Sequence, residues 1–289
     1  MIAGAIALAL AAAALHGTWN ILVKVSGDPM ETFRRATIAA ALAVTPPTAV
    51  AWLLAGHPGF SPAAAGWCAL SASLELTYLW LLSAAYRRGE LSTVYPIARG
   101  SAPLLAVMAG LGLLHETLTT LQFAGVGILL VGILAVTLSQ STGRATIPAL
   151  LTGVAIASYS AVDRVGVRLS TPWLYGWLLI VLIAVGLPVS MWIAGRVTAA
   201  RRAAVEPSIA APTLGRGQAT LIGIFMWGAY LLVLWALSIA PLSVVAPVRE
   251  TAVVGVAVWG VWRLHESKAA AMKLSGALAT LVGVTLLAL

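Results

Sequence analysis

Along this chain, long apolar runs alternate with short polar interruptions. The runs cover residues 2–23, 33–55, 64–86, 91–114, 118–140, 147–168, 173–195, 217–239, 242–264 and 268–289. A membrane helix needs about 20 mostly apolar residues to cross about 30 Å of hydrocarbon. The pattern therefore predicts an all-α polytopic membrane protein with ten transmembrane helices. The interruptions carry helix breakers: Gly27-Asp28-Pro29, Gly56-His57-Pro58-Gly59, Ser141-Thr142-Gly143 and Thr171-Pro172. The longest, 196–216, holds Arg196, Arg201, Arg202, Pro207, Pro212 and Arg216 and reads as a polar loop. Residues Met1 to Leu15 carry no charge, so they lack the basic start of a signal peptide and are expected to stay as the first helix.

Composition agrees. Of 289 residues 61% are hydrophobic and 9% charged, and mean hydropathy is +0.98. A soluble domain carries about 25% charged residues, so most of this surface must face lipid. The net charge of +8 is scattered over short gaps, with no basic patch long enough to follow a phosphate backbone, so no nucleic-acid partner is expected. The single cysteine, Cys68, excludes an intrachain disulfide, and no Cys/His spacing suggests a metal. No phosphate-cradling Gly-rich motif is present, so ATP is not the expected energy source, and no cofactor is expected.

Charge also predicts orientation. Counted from the N-terminus, the odd gaps and their edges hold thirteen basic residues: Lys24, Arg34, Arg35, Arg87, Arg88, Arg144, Arg196, Arg201, Arg202, Arg216, Arg263, Lys268 and Lys273. The even gaps hold Arg168, with Arg164 nearby. The positive-inside rule then places both termini outside. Three lysines against fourteen arginines, with abundant alanine, suggest a G+C-rich bacterium and hence its cytoplasmic membrane.

The chain also repeats itself. Arg99 and Arg249, Gly110 and Gly260, Leu114 and Leu264, His115 and His265, and Glu116 and Glu266 all lie 150 residues apart. Tyr95-Pro96-Ile97-Ala98-Arg99 corresponds to Val245-Ala246-Pro247-Val248-Arg249. Further on, Gly125 and Gly132 match Gly276 and Gly283 at an offset of 151. A repeat unit of five helices enters the membrane from opposite sides in its two copies. Two units, 1–142 and 143–289, are therefore expected to form an inverted pair, with a substrate site near the midplane where they meet. Two repeats in one chain let a monomer form the whole pathway.

The ten helices, the arginine near the start of the second (Arg34 or Arg35), the Pro/Arg-bearing fourth and ninth helices, the two helix-end His-Glu pairs and the closing glycine helices resemble the EamA type of the drug/metabolite transporter superfamily. The aromatic-rich early helices are most similar to bacterial amino-acid exporters. The resemblance implies a non-enzymatic secondary transporter of small metabolites. It also implies cytoplasmic termini, against the charge count, and the count is followed here.

An ionisable residue at membrane depth is costly and by default a functional candidate. Glu75, with Tyr78 three residues on, reads as a carboxylate for a substrate ammonium, a protonatable coupling group, or a structural partner for an arginine. Arg99, one turn after Tyr95, reads as a fork for a substrate carboxylate or as half of a buried ion pair. Arg249 and Glu250 take the matching place in the ninth helix; neighbours on a helix do not face each other, so each is expected to pair elsewhere. Asp163 is expected at the interface. His16, Trp19 and Asn20 share one face of the first helix and should look into the bundle. Trp19, Tyr78, Trp80, Tyr95, Tyr159, Trp227 and Tyr230 are expected to line an aromatic cavity, while Trp67, Trp173, Trp177 and Trp192 read as an interfacial belt. His115-Glu116 and His265-Glu266 lack the second histidine of a zinc motif and read as helix-end structure.

These readings converge on a gradient-driven exporter of small metabolites, amino acids foremost, working by alternating access in the bilayer. The alternatives are a multidrug exporter of lipophilic cations, a membrane enzyme or lipid-handling protein, and a channel.

Overall fold

The apolar runs fold as helices. The computed structural model describes residues 2–88, 91–138, 146–199, 215–252 and 270–288. Its helices are α1 (Ile2–Val25), α2 (Pro29–Leu54), α3 (Pro62–Arg88), α4 (Leu91–Gly112), α5 (Thr120–Leu138), α6 (Thr146–Gly166), α7 (Pro172–Ala199), α8 (Arg216–Ile239), α9 (Leu242–Arg249) and α10 (Ala270–Ala288). A short 3-10 turn, Val167–Leu169, extends α6. Among the described residues there is no strand. Six helices are long and apolar enough to cross a membrane: α1, α2, α3, α6 with its extension, α7 and α8. Shorter apolar stretches, Ile97–Gly112, Thr120–Ala135 and Leu274–Leu287, lie in α4, α5 and α10.

The surface is what a bilayer requires. Leu42, Leu54, Met108, Phe123, Val131, Val185, Leu278 and Leu281 are all more than half exposed. Such a continuous apolar exterior would aggregate in water and is at home in lipid. The interior is rich in alanine, as in Ala5, Ala9 and Ala12 of α1 and Ala36 and Ala40 of α2, all fully buried. Small residues let helix backbones approach closely where dispersion contacts, not water exclusion, drive association.

Two helix ends depart from the hydrophobic pattern. α2 starts at Pro29, four residues before its apolar run, because Asp28 accepts the Met30 amide at 3.3 Å and Pro29 occupies the first turn. Glu31, Arg34 and Arg35 thus sit on a helix and not in a loop. α9 is cut short: its regular part ends at Arg249, and Glu250 follows as the cap with φ −83° and ψ 1°. Pro247 lacks an amide hydrogen and leaves one rung out of the ladder. Just beyond it the turn tightens: Glu250 N is shared between Ala246 O at 3.3 Å and Pro247 O at 3.2 Å, and Thr251 N bonds to Val248 O at 3.2 Å.

Helix pairing has a recurring form. α3 packs on α6 and α8 on α1; α4 packs on α6 and α9 on α1; α2 packs on α8 and α7 on α3; α2 meets α7, α4 meets α9 and α5 meets α10. Exchanging each helix with the one five places away maps every one of these pairs onto another pair or onto itself. α5 and α10 meet through glycines: a Cβ on Gly125 would lie 3.0 Å from Gly283 O, and one on Gly132 would lie 2.6 Å from Gly276 O. The contact is antiparallel and leaves no room for side chains.

The first and third gaps meet at one end, and the fourth, sixth and eighth meet in a separate cluster. At that end Lys24 Nζ donates to Tyr86 O at 2.9 Å and Arg87 pairs with Asp28 at 2.8 Å. In the separate cluster, Glu116 accepts from Leu242 N (2.7 Å), Ser243 N (2.9 Å), Ser243 Oγ (2.8 Å) and Arg164 Nε (3.1 Å). Glu116 therefore caps α9 with its negative charge at the positive end of the helix. His115, in the left-handed region at φ 51°, turns the chain so that Glu116 reaches that cap. His265 and Glu266 lie outside the described residues.

Candidate functional site

A cavity of about 50 Å³ lies at the centre of the bundle. α1 contributes His16 and Trp19, α2 Thr37, α3 Glu75 and Tyr78, α6 Tyr159, α7 Leu179, Ile180 and Ile183, and α8 Met226, Trp227 and Tyr230. Each polar contributor projects from an otherwise apolar helix and points inward because lipid would leave it unsatisfied. The aromatic walls support one another: Tyr78 meets Tyr159 edge-on at 5.7 Å, Tyr159 meets Tyr230 at 6.0 Å, and Trp19 meets Phe33 edge-on at 6.2 Å.

Three buried polar atoms on this lining have no hydrogen-bond partner among the described residues: Glu75 Oε1, Trp19 Nε1 and Trp227 Nε1. One is an acceptor on a carboxylate, and two are indole donors. A buried polar atom without a partner carries a desolvation cost of about 1–3 kcal/mol, more for a charged group. A ligand that satisfies all three atoms removes that cost. His16 is held by its Nδ1, which donates to Ala12 O at 2.9 Å.

Behind the aromatic wall lies a charged network. Glu250 receives Arg99 Nη1 on both oxygens, at 3.2 and 3.4 Å, and Arg249 Nε at 2.9 Å. Arg99 Nη2 also donates to Tyr78 Oη at 3.3 Å, and Arg249 Nη1 to Ser160 Oγ at 3.3 Å. All three charged side chains are buried. Arg99 stands 6.0 Å from the Trp19 ring and Arg249 5.9 Å from the Tyr159 ring, so both guanidiniums back the aromatic lining and do not form part of it.

The geometry corrects several sequence expectations. Arg249 and Glu250 pair with each other: the rule that adjacent helix residues diverge fails because the helix ends between them. Asp163 is buried, not interfacial. It accepts from Tyr175 Oη at 3.1 Å and, by a short bond, from Tyr230 Oη. Trp80 is not in the cavity, since its Nε1 donates to Ser190 Oγ at 3.1 Å. Asn20 also lies off the lining, donating to His16 O at 2.8 Å and accepting from Tyr86 Oη at 2.7 Å. The side chain of Tyr95 is outside the described residues. Thr37 and Tyr175 escaped the sequence reading: a lone threonine and an interfacial-looking tyrosine carry no signal of depth. Trp177, expected in the belt, donates to Thr45 Oγ1 at 3.0 Å between α7 and α2. Trp192 is more than half exposed, with Arg196 over its ring at 3.9 Å.

Residues 3–138 match the model of the EamA-like transporter family. That segment holds α1 to α5 and with them His16, Trp19, Glu75, Tyr78 and Arg99. No curated protein matches the chain. A solved crystal structure of a protein covers 98% of this chain and 95% of its own, with a TM-score of 0.64 at 17% identity. That likeness establishes a shared fold and nothing about substrate. The chain is thus a multi-pass membrane protein whose first half matches a transporter family. Among the described residues no group of three or more His, Cys, Asp or Glu side chains could hold a metal ion. Cys68 is buried against Tyr175 O at 3.7 Å.

Proposed function

We propose that this protein is a secondary transporter that exports small metabolites, amino acids foremost, across a bacterial cytoplasmic membrane. The observation that carries this reading is the triad of unpartnered atoms in the central cavity. Glu75 Oε1 is complementary to a substrate ammonium, and the Trp19 and Trp227 N–H groups to a substrate carboxylate. The arginines are not assigned to the substrate, because neither lines the cavity and both are bonded to Glu250. They set the field behind the aromatic wall and hold Tyr78 and the broken α9 in place.

Two inverted repeats, 1–142 and 143–289, rock around this cavity to give alternating access. What supports this is the exchange pattern of the helix pairs, the reciprocal glycine contacts of α5 and α10, and the break in α9 behind the site. The small cavity, with room for only a few water molecules, represents an occluded state. Both termini lie outside the cell; an active cytoplasmic reporter fused to the C-terminus would reverse that orientation.

A second reading has its own support. The buried cluster of Arg99, Arg249, Glu75, Asp163 and Glu250 has two cationic groups against three carboxylates, and the lining is aromatic. Such a box suits a lipophilic cation. Counterflow in proteoliposomes separates the two: labelled amino acids are run beside a lipophilic cation. Saturable exchange of amino acids alone supports the exporter; exchange of the cation alone assigns the protein to multidrug efflux; exchange of neither overturns both.

A further inference from the structure

A second cavity lies between α2 and α8, near the helix ends that carry Arg34, Arg35 and Arg216. A groove of about 600 Å³ opens there, headed by three arginines, Arg34, Arg35 and Arg216. Glu31 pairs with both arginines of α2, lying 2.5 Å from Arg34 and 2.7 Å from Arg35. Three guanidiniums thus gather at the head of the groove, two of them on Glu31. Arg216 is exposed at the start of α8, and Arg34 and Arg35 keep a third of their side-chain surface accessible.

Below the arginines the groove turns apolar. On α2 it continues through Ile38 and Ala39 to Leu42 and Ala43, one and two turns farther along the helix. From Arg34 to Leu42 the track is about 12 Å long at 1.5 Å per residue. Leu42 is 72% exposed, so the track opens sideways to lipid. Its floor is narrow, because α8 lies against α2 with Gly223 on the Ala36 backbone.

We infer that this groove binds an anionic phospholipid, its phosphate among the guanidiniums and an acyl chain along the α2 track. The argument is complementarity in two parts. Guanidinium forks match phosphate oxygens, and basic pockets between transmembrane helices select anionic headgroups. An apolar track continuous with the bilayer has no counterpart in a site for a free anion. The lipid would bridge α2 and α8, one helix from each half of the chain. This assignment is independent of which substrate the central cavity carries.

The test uses purified, delipidated protein in neutral detergent. Phosphatidylglycerol is titrated beside phosphatidylcholine of the same chains, and bound lipid is read by native mass spectrometry. The intact protein is expected to retain phosphatidylglycerol in preference to phosphatidylcholine. Arg34→Gln with Arg216→Gln should weaken it by about fivefold for each arginine removed. Glu31→Gln, which removes the negative charge beside Arg34 and Arg35, should tighten it, a gain that a merely structural role for Glu31 does not produce. The inference falls if the two lipids bind alike, if inorganic phosphate displaces the lipid at equal concentration, or if Glu31→Gln weakens binding while the protein stays folded.

Discussion

Glu75→Gln and Glu250→Gln are the same chemical change at two buried carboxylates, and the structure separates their outcomes. Glu250 accepts three hydrogen bonds from two buried guanidiniums, at 2.9, 3.2 and 3.4 Å. Neutralising it leaves Arg99 and Arg249 side by side without their shared counter-charge. Removing one member of a buried ion pair costs about 3–5 kcal/mol. Glu75 Oε1 has no partner among the described residues, so the amide there should cost under about 1 kcal/mol. Unfolding in detergent, followed by tryptophan fluorescence or a thiol-reactive dye at the buried Cys68, should place Glu250→Gln far below the parent and Glu75→Gln level with it. Counterflow should then show the reverse of what stability alone predicts: the well-folded Glu75→Gln protein loses exchange. Equal destabilisation of the two variants would refute the reasoning, since Glu75 would then be a structural partner. Normal exchange by Glu75→Gln would remove it from the site.

Three further outcomes follow from single contacts. Trp227→Phe deletes an indole N–H that has no partner among the described residues; stability should change by less than about 1 kcal/mol, while the apparent affinity for an amino acid falls about tenfold. The matching amine without a carboxylate should be exchanged as before, and an equal loss for both would show that the indole does not read the carboxylate. Gly132→Ala places a methyl 2.6 Å from Gly276 O and 2.8 Å from Thr280 N, and should cost about 1–3 kcal/mol by forcing α5 and α10 apart. Gly127→Ala on the same helix meets nothing within 4 Å and should be neutral or stabilising by up to about 1 kcal/mol; thermal melts of the pair check both. Glu116→Ala removes the cap on two α9 amides and the partner of Arg164, and should lower stability by about 2–3 kcal/mol, more than Glu116→Gln, which keeps an acceptor oxygen.

The sequence by itself determined the helices and the class of solvent around them. Run length against bilayer thickness is a local property, and α1, α3, α6, α7 and α8 begin and end within a few residues of their apolar runs. The inward face of α1 was legible for the same reason: His16 and Trp19 have no favourable place in lipid. The two arginines at equivalent positions were legible as a pair, but their partner was not. Helix geometry argues against bonding between neighbours, and only the break after Pro247 lets Arg249 and Arg99 share Glu250. Asp163 looked interfacial because it lies near a helix end with Arg164 beside it. Depth depends on what packs around that end, and Tyr175 and Tyr230 arrive there from α7 and α8. Local hydrophobicity specifies where the chain crosses the membrane. Which polar atoms are satisfied, and which three are left facing the cavity, depends on contacts between residues tens to more than a hundred positions apart, and only the tertiary structure decides them.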